Sequence, residues 1–202
     1  MGRVKTYDDD LRQRLVDEAG RLLTAEGISA VTLRRVAGLA GTSTTAVYSL
    51  FGDKDGLLTA MYTDGFGRLG RALTKAWTTE PDPLAGLAAV GMAYRRAALA
   101  TPHLYGLMFG GTAPSFAPDE QAAAVAQSAY EPLHRGILAC MDAGRLTVPS
   151  ADLLARYLWA LSHGLVSLEL AGFLDGSARV RQAAYREAMV MSTLPYLVSP
   201  PA

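Results

Sequence analysis

Between residues 32 and 54 the sequence places Thr32, Arg34, Arg35, Ser43, Thr44, Thr45, Tyr48, Ser49 and Lys54 among small and apolar residues. Every one of these side chains can donate a hydrogen bond, and Arg34, Arg35 and Lys54 are cations. Thr32 precedes a short apolar run, where its hydroxyl caps a helix and leaves free N–H groups suited to an anion. Tyr48 and Lys54 can donate to phosphate oxygens, contacts that fix register without reading sequence. Thr44, Thr45 and Ser49 suit base edges in a major groove, Thr45 through either its hydroxyl or its methyl. Arg34 fits a guanine edge or a phosphate. The same residues would also suit a solvated helical hairpin that binds nothing.

The elements that must carry these side chains are helical. Apolar residues recur at helical spacing throughout, and no alternating strand pattern persists. Asp8, Asp9 and Asp10 suit a helix start, and Leu11, Leu15, Ala19 and Leu22 continue one face towards a stop at Gly27. A second short helix follows Thr32. Gly41, Thr42 and Ser43 form a turn and a cap before a third helix from about Thr44 to Leu50. Two short helices joined by a glycine turn make a helix-turn-helix. Val47 is expected to close a small core on Val36 and Ala37, with Leu11, Leu15, Leu22 and Phe51 as its floor. Gly52-Asp53 breaks the chain before a long helix that runs towards Trp77. Further helices are expected near 82–100, 103–109, 119–143, 151–174 and 178–197, with 110–118 as the main loop and Ser199–Ala202 as a loose tail.

Residues 27–58 resemble the TetR family of bacterial transcriptional regulators. The matching residues are Gly27, Thr32, Val36-Ala37, Ala40-Gly41, Ser43, Tyr48, Phe51, Lys54 and Leu57-Leu58. Thr42, Thr45 and Ser49-Leu50 depart from the residues common in the family. The resemblance implies an all-α protein with an N-terminal three-helix DNA-binding domain, expected at 1–56. A larger helical domain for effector binding and dimerisation is expected at 57–202. By position, Thr32, Tyr48 and Lys54 become phosphate contacts, while Arg34, Thr44, Thr45 and Ser49 become candidates for base reading. Arg35 and Ser43 complete the exposed set.

Residues 101–109 and the Trp159-x-x-x-His163-Gly164 segment resemble one C-terminal subtype of this family, named for its Trp-His-Gly signature. Trp159 and His163 share a helical face. Tyr105, Met108 and Phe109 are grouped on a nearby helix. An apolar pocket with one or two polar groups is the usual small-molecule site, so these five residues are the expected effector contacts. Ordinary core packing is the competing reading. The last two long helices carry Leu153, Tyr157, Leu161, Leu165, Leu168, Val180, Ala184, Met191 and Leu194, apolar on more than one side. The resemblance implies a two-fold dimer through this pair, meeting a roughly palindromic operator.

Three motifs mimic other chemistry. Gly65-x-Gly67-x-x-Gly70 matches a dinucleotide fingerprint by letter but lies inside a helix with no preceding strand, so a closely packed or bent helix is expected. Glu131-x-x-His134 is half of a di-iron signature whose second half is missing; a surface ion pair is expected instead. Ala160-x-Ser162-x-Gly164 imitates a nucleophile elbow, yet Ser162 falls mid-helix, where its hydroxyl is expected to bond the preceding turn. No catalytic constellation, metal site or cofactor site is expected.

Composition narrows the classes further. The chain has 202 residues, 19 basic and 19 acidic side chains, and 50% hydrophobic residues. Its 19% charged content lies below the roughly 25% of an average globular protein, consistent with extra buried surface such as a subunit interface. The single cysteine, Cys140, excludes an internal disulfide framework and a cysteine-cluster metal site, and fits a small buried hydrophobe. No signal peptide or membrane span is visible, so a soluble cytoplasmic protein is expected. The 34 alanines and the excess of arginine over lysine suit a GC-rich bacterial genome.

The expected function is a homodimeric DNA-binding regulator, a repressor released from its operator by a small apolar effector. The competing class is a helical small-molecule carrier or enzyme in which the N-terminal helices are only structural; substrate turnover without DNA affinity would distinguish it. Residues 1–60 hold 8 basic and 8 acidic side chains, yet residues 31–52 hold Arg34, Arg35 and no acid. A small positive face is therefore expected within a neutral total, favouring salt-sensitive contact at specific sites.

Overall fold

The computed structural model describes residues 2–110, 113 and 115–198, with the backbone alone for residues 2–7. Ten α-helices lie among the described residues: α1 (Gly2–Glu26), α2 (Leu33–Leu39), α3 (Thr44–Phe51), α4 (Lys54–Thr78), α5 (Pro83–Ala100), α6 (Pro102–Met108), α7 (Glu120–Ser128), α8 (Glu131–Asp142), α9 (Ala151–Leu170) and α10 (Ala178–Thr193). Short 3-10 turns cover Ile28–Ala30 and Leu194–Tyr196. The only strand-like pairing among the described residues is an isolated bridge between Leu146 and Leu197. The protein is all-α.

Several expected boundaries move: the helix expected over 151–174 ends at Leu170, and the one expected over 178–197 ends at Thr193 before a 3-10 turn. The first helix begins at Gly2, so Asp8 to Asp10 lie within it and do not form its first turn. The single helix expected over 119–143 is two, α7 and α8, separated at Ala129-Tyr130. Pro132 explains the break: it has no N–H to continue a helix, and it sits in the first turn of α8, where none is needed. The expected tail Ser199–Ala202, and Gly111 and Pro114 of the expected loop, lie outside the described residues.

The chain divides into two compact units, with the divisions falling inside α4 and α7. One comprises residues 1–67 and 101–126, the other 68–100 and 127–202. These packing units differ from the expected functional division at 56/57, because α6 and the segment after it pack with the N-terminal helices.

In the first unit, Leu11, Leu15, Ala19 and Leu22 of α1 share a buried core with Val36 and Ala37 of α2 and with Val47 and Phe51 of α3. This is the expected helix-turn-helix core. Leu57, Leu58 and Met61 of α4 and Leu104 and Leu107 of α6 extend it. The α6 contribution has no helix-turn-helix signature in sequence; it follows from apolar spacing on a seven-residue helix that finds its partner far away in the chain.

In the second unit, Leu87 of α5, Ile137 and Cys140 of α8, and Leu154, Ala155 and Leu158 of α9 form a separate apolar core. Cys140 is fully buried, and burial pushes its thiol up to about 11. A charged cluster is buried beside this core. Arg95 of α5 donates to both carboxylate oxygens of Glu169 on α9, at 2.8 and 2.6 Å. Arg181 of α10 donates to Oε1 of the same carboxylate at 2.9 Å. Tyr185 of α10 donates to the Gly91 carbonyl at 3.0 Å, and its ring lies 6.0 Å from the Arg95 guanidinium.

Candidate DNA-reading face and helical cavity

The local chemistry of α2 and α3 accounts for their positions. Thr32 accepts from the Arg35 backbone N–H at 3.3 Å, and Ser43 accepts from that of Ala46 at 3.1 Å. Each thereby satisfies one N–H that the first helical turn leaves unpaired, worth about 1 kcal/mol. Between them α2 ends in a Schellman motif. Thr42 N–H donates to the Ala37 carbonyl at 3.0 Å and Gly41 N–H to that of Gly38 at 3.3 Å. Gly41 holds φ +64°, a left-handed conformation that favours glycine. The turn thus fixes the angle at which α3 leaves α2.

A second glycine fixes the exit from α3. A Cβ on Gly56 would fall well inside van der Waals contact with the Phe51 carbonyl oxygen. Asp53 accepts from the Gly56 N–H at 2.8 Å and caps the start of α4. No motif in the sequence points to Gly56. Its one signal there is a glycine two residues after a helix-starting lysine, where helix propensity alone disfavours it.

The inner and outer sides of the hairpin separate as expected. Val36, Ala37 and Val47 are buried, while Arg34, Arg35, Ser43, Thr45, Tyr48 and Ser49 are exposed and Thr44 is half-buried. Tyr48 keeps 55% of its surface. Two cations are engaged in ways the sequence does not reveal. Arg35 forms a two-pronged pair with Glu26 at the end of α1, at 2.7 and 2.9 Å. The segment 31–52 has no acid of its own, but the fold brings one in, so of the expected cation pair Arg34 alone has no ion pair among the described residues. Lys54 donates to the Ile28 carbonyl at 2.9 Å, which fastens the start of α4 to the turn after α1.

The five expected effector residues divide between the units. Tyr105, Met108 and Phe109 belong to the first. Phe109 meets Tyr105 at 4.8 Å and Phe66 at 5.6 Å between ring centroids, and Tyr62 joins Phe66 and Phe116. Tyr105 and Met108 are buried. Trp159 and His163 belong to the second unit, where Trp159 packs 5.2 Å from Tyr130. The His163 Nε2 is 3.5 Å from Ser167 Oγ, and burial holds the imidazole below its usual pKa.

The second unit has a cavity of about 280 Å³ between α5, α8, α9 and α10. Trp159 and His163 do not line it. Leu87, Met92, Leu158, Ser162, Arg186 and Met189 do. Ser162 Oγ donates to Met189 Sδ at 3.4 Å, across to α10 and not back along its own helix as expected. Sequence spacing could not reveal this cavity, because its walls come from four helices far apart in the chain.

The other tempting motifs resolve into packing. A Cβ on Gly65 would meet Met108 Sδ at 2.8 Å, and one on Gly70 would meet Ala129 Cα at 3.4 Å, so these glycines permit close approach to α4. His134 stacks on Tyr130 at 6.2 Å, while Glu131 is exposed at the start of α8. Among the described residues no group of acidic, histidine or cysteine side chains could hold a metal ion. No helix among them is long and apolar enough to cross a membrane.

Residues 15–61 match the family model for bacterial regulatory proteins of the tetR family. Residues 87–191 match the model for the tetracyclin repressor-like C-terminal domain. The chain belongs to the TetR family and is a DNA-binding transcriptional regulator.

Solved structures agree across nearly the whole length. A protein of unknown function from Rhodococcus sp. RHA1 is 29% identical, with a TM-score of 0.81, covering 93% of this chain and 96% of that one. The putative regulatory protein SCO4313 is 25% identical, with a TM-score of 0.75 and coverage of 93% and 98%. The TetR family transcriptional regulator PfmR from Thermus thermophilus shares the fold at 22% identity, with a TM-score of 0.69 and coverage of 90% and 97%. No curated protein sequence matches the chain.

Proposed function

We propose that this regulator acts as a cytoplasmic homodimer, repressing transcription at a palindromic operator until a small apolar effector releases it. Residues 1–56 read DNA in this proposal, and residues 57–202 bind effector and dimerise. The observation that carries the reading is the two-sided α2–α3 hairpin. Its apolar side is sealed by Val36, Ala37 and Val47, and its outer side presents Arg34, Thr45, Tyr48 and Ser49.

In this reading Arg34, Thr44, Thr45 and Ser49 meet base edges. Tyr48, Lys54, Arg35 and the N-terminus of α2 behind Thr32 meet phosphates, and Ser43 orients α3 through its cap. The apolar exposure of α9 and α10 supports a dimer. Leu153, Tyr157 and Leu168 are exposed on one helix and Val180, Val190 and Met191 on the other. Scattered apolar residues are ordinary on a surface, but a run of them along two consecutive helices marks an interaction surface. Two copies joined there would carry two reading helices to two half-sites. In the first unit Phe109 is half-buried and retains surface for an effector, with Tyr105 and Met108 buried; in the second unit half-buried Trp159 and His163 retain such surface separately.

Selection of bound sequences from a random DNA pool, followed by footprinting, tests the reading. A protected palindrome is expected, with affinity falling steeply as salt rises. Thr45→Ala should change the selected sequence, whereas Tyr48→Phe should weaken all sequences alike. Recovery of no preferred sequence, with or without small molecules, would overturn it.

A further inference from the structure

None of the residues expected to contact an effector lines the cavity of the second unit, whose chemistry is distinctive. Leu87, Leu158, Met92 and Met189 make its walls apolar. Methionines suit such a wall, since their flexible thioethers adapt to the shape of a guest. One buried hydroxyl, Ser162 Oγ, faces this lining with a thioether sulfur as its neighbour, a weak acceptor. Arg186 on α10 lines the cavity where it meets solvent. Its guanidinium makes no ion pair or hydrogen bond among the described residues. Two other arginines of α5 and α10, Arg95 and Arg181, are committed to Glu169.

The size sets a limit on the guest. A cavity of about 150 Å³ lined by aliphatic groups accommodates benzene. The 280 Å³ here therefore suits an apolar body of about two fused rings, smaller than most drug-sized ligands. An arginine that lines an apolar chamber and has no partner among the described residues can select an anionic head, since its planar fork matches a carboxylate.

We propose that this cavity binds a small aromatic or aliphatic monocarboxylate, its apolar body among Leu87, Leu158, Met92 and Met189 and its carboxylate on Arg186. The inference deepens the effector-regulated reading and rests on it only for its consequence, not for binding itself. Because Met189 and Val190 adjoin on α10 and Val190 is exposed, a guest here would touch the helix that carries the proposed dimer surface.

Titration calorimetry on the full chain tests the site, with 2-naphthoate and the uncharged 2-naphthamide as probes. One 2-naphthoate per chain is expected, bound about tenfold more tightly than the amide. Arg186→Gln, an exposed position, should weaken the acid by about tenfold and leave the amide unchanged, the scale of one charge-assisted contact. Ala89→Phe, which fills the chamber, should abolish binding of both; circular dichroism would verify that the variant is folded.

Equal binding of acid and amide, or indifference to Arg186→Gln, would overturn the carboxylate assignment. Absence of binding of either probe at millimolar concentration would overturn the site. Operator affinity measured in parallel separates the two readings. Binding with the expected Arg186 dependence but no change in DNA affinity would sustain the site and count against its effector role. Intact specific DNA binding with no probe bound would sustain the regulator and reject the site.

Discussion

Arg95 and Glu169 stand 74 residues apart in the chain and 2.6 Å apart in the fold, each with only 6% of its side chain exposed. Arg181 adds a third charge at 2.9 Å. The cluster links α5, α9 and α10, the same helices that enclose most of the cavity. Two guanidinium groups share one carboxylate, so a net positive charge is retained at a buried position. Removing one partner of such a pair leaves the other desolvated and uncompensated.

Arg95→Met should therefore lower unfolding stability by about 3–5 kcal/mol. Glu169→Gln should do the same or worse, since it strands two cations. Arg181→Gln, at a side chain 29% exposed, should cost much less. Urea denaturation of the three variants would check this ranking, and equal losses for Arg95 and Arg181 would contradict it.

The same cluster predicts an acid-sensitive component. The Arg95 hydrogen bonds hold the Glu169 carboxyl below the usual range, with Arg181 assisting against the opposing effect of burial. A depressed folded-state pKa means that the unfolded chain takes up the proton first. The stabilisation is thus complete above the unfolded value of about 4.3 and lost as pH falls through the lower folded value. The stability gap between the native protein and Glu169→Gln should be constant from pH 7 to about 5 and narrow below it. A gap unchanged down to pH 3 would reject this origin.

At the reading face, Glu26 competes with DNA for Arg35. Glu26→Gln should free the guanidinium and remove a nearby negative charge. DNA affinity is expected to rise about threefold to tenfold at low salt. The slope of log affinity against log salt should steepen by about one unit if Arg35 then meets a phosphate. The pair is exposed, so stability should change little. Fluorescence anisotropy at several salt concentrations reads both effects; an unchanged slope would show that Arg35 stays away from the backbone.

Cys140 should be chemically silent in the native state. Its thiol is fully buried and pushed up to about 11 by burial, so almost none is thiolate at neutral pH. Labelling with a thiol reagent at pH 8 should proceed only as fast as the second unit opens, and accelerate in denaturant. Prompt stoichiometric labelling of the folded chain would contradict this.

The reading hairpin is a local structure, and so it is largely legible. Thr32, Gly41, Ser43, Val36, Ala37 and Val47 act within 20 residues of one another, through caps, a left-handed turn and a short-range core. Helical spacing likewise reveals most helices, except where Pro132 interrupts an otherwise continuous apolar pattern. Arg35 shows where legibility ends. Its charge is visible in the segment 31–52, but its partner Glu26 comes from the preceding helix, and only the angle between α1 and α2 pairs them.

An all-α chain, the helix-turn-helix and the side chains on its outer face follow from the order of residues alone, because caps, turns and helical periods are written in near neighbours. Packing between distant helices settles the rest. It draws α6 into the N-terminal core, disperses the five expected effector residues between two units, and assembles the cavity and the Arg95–Glu169–Arg181 cluster from separate parts of the chain. Those features depend on how helices pack against one another, and a helical period records which face is buried without recording its partner.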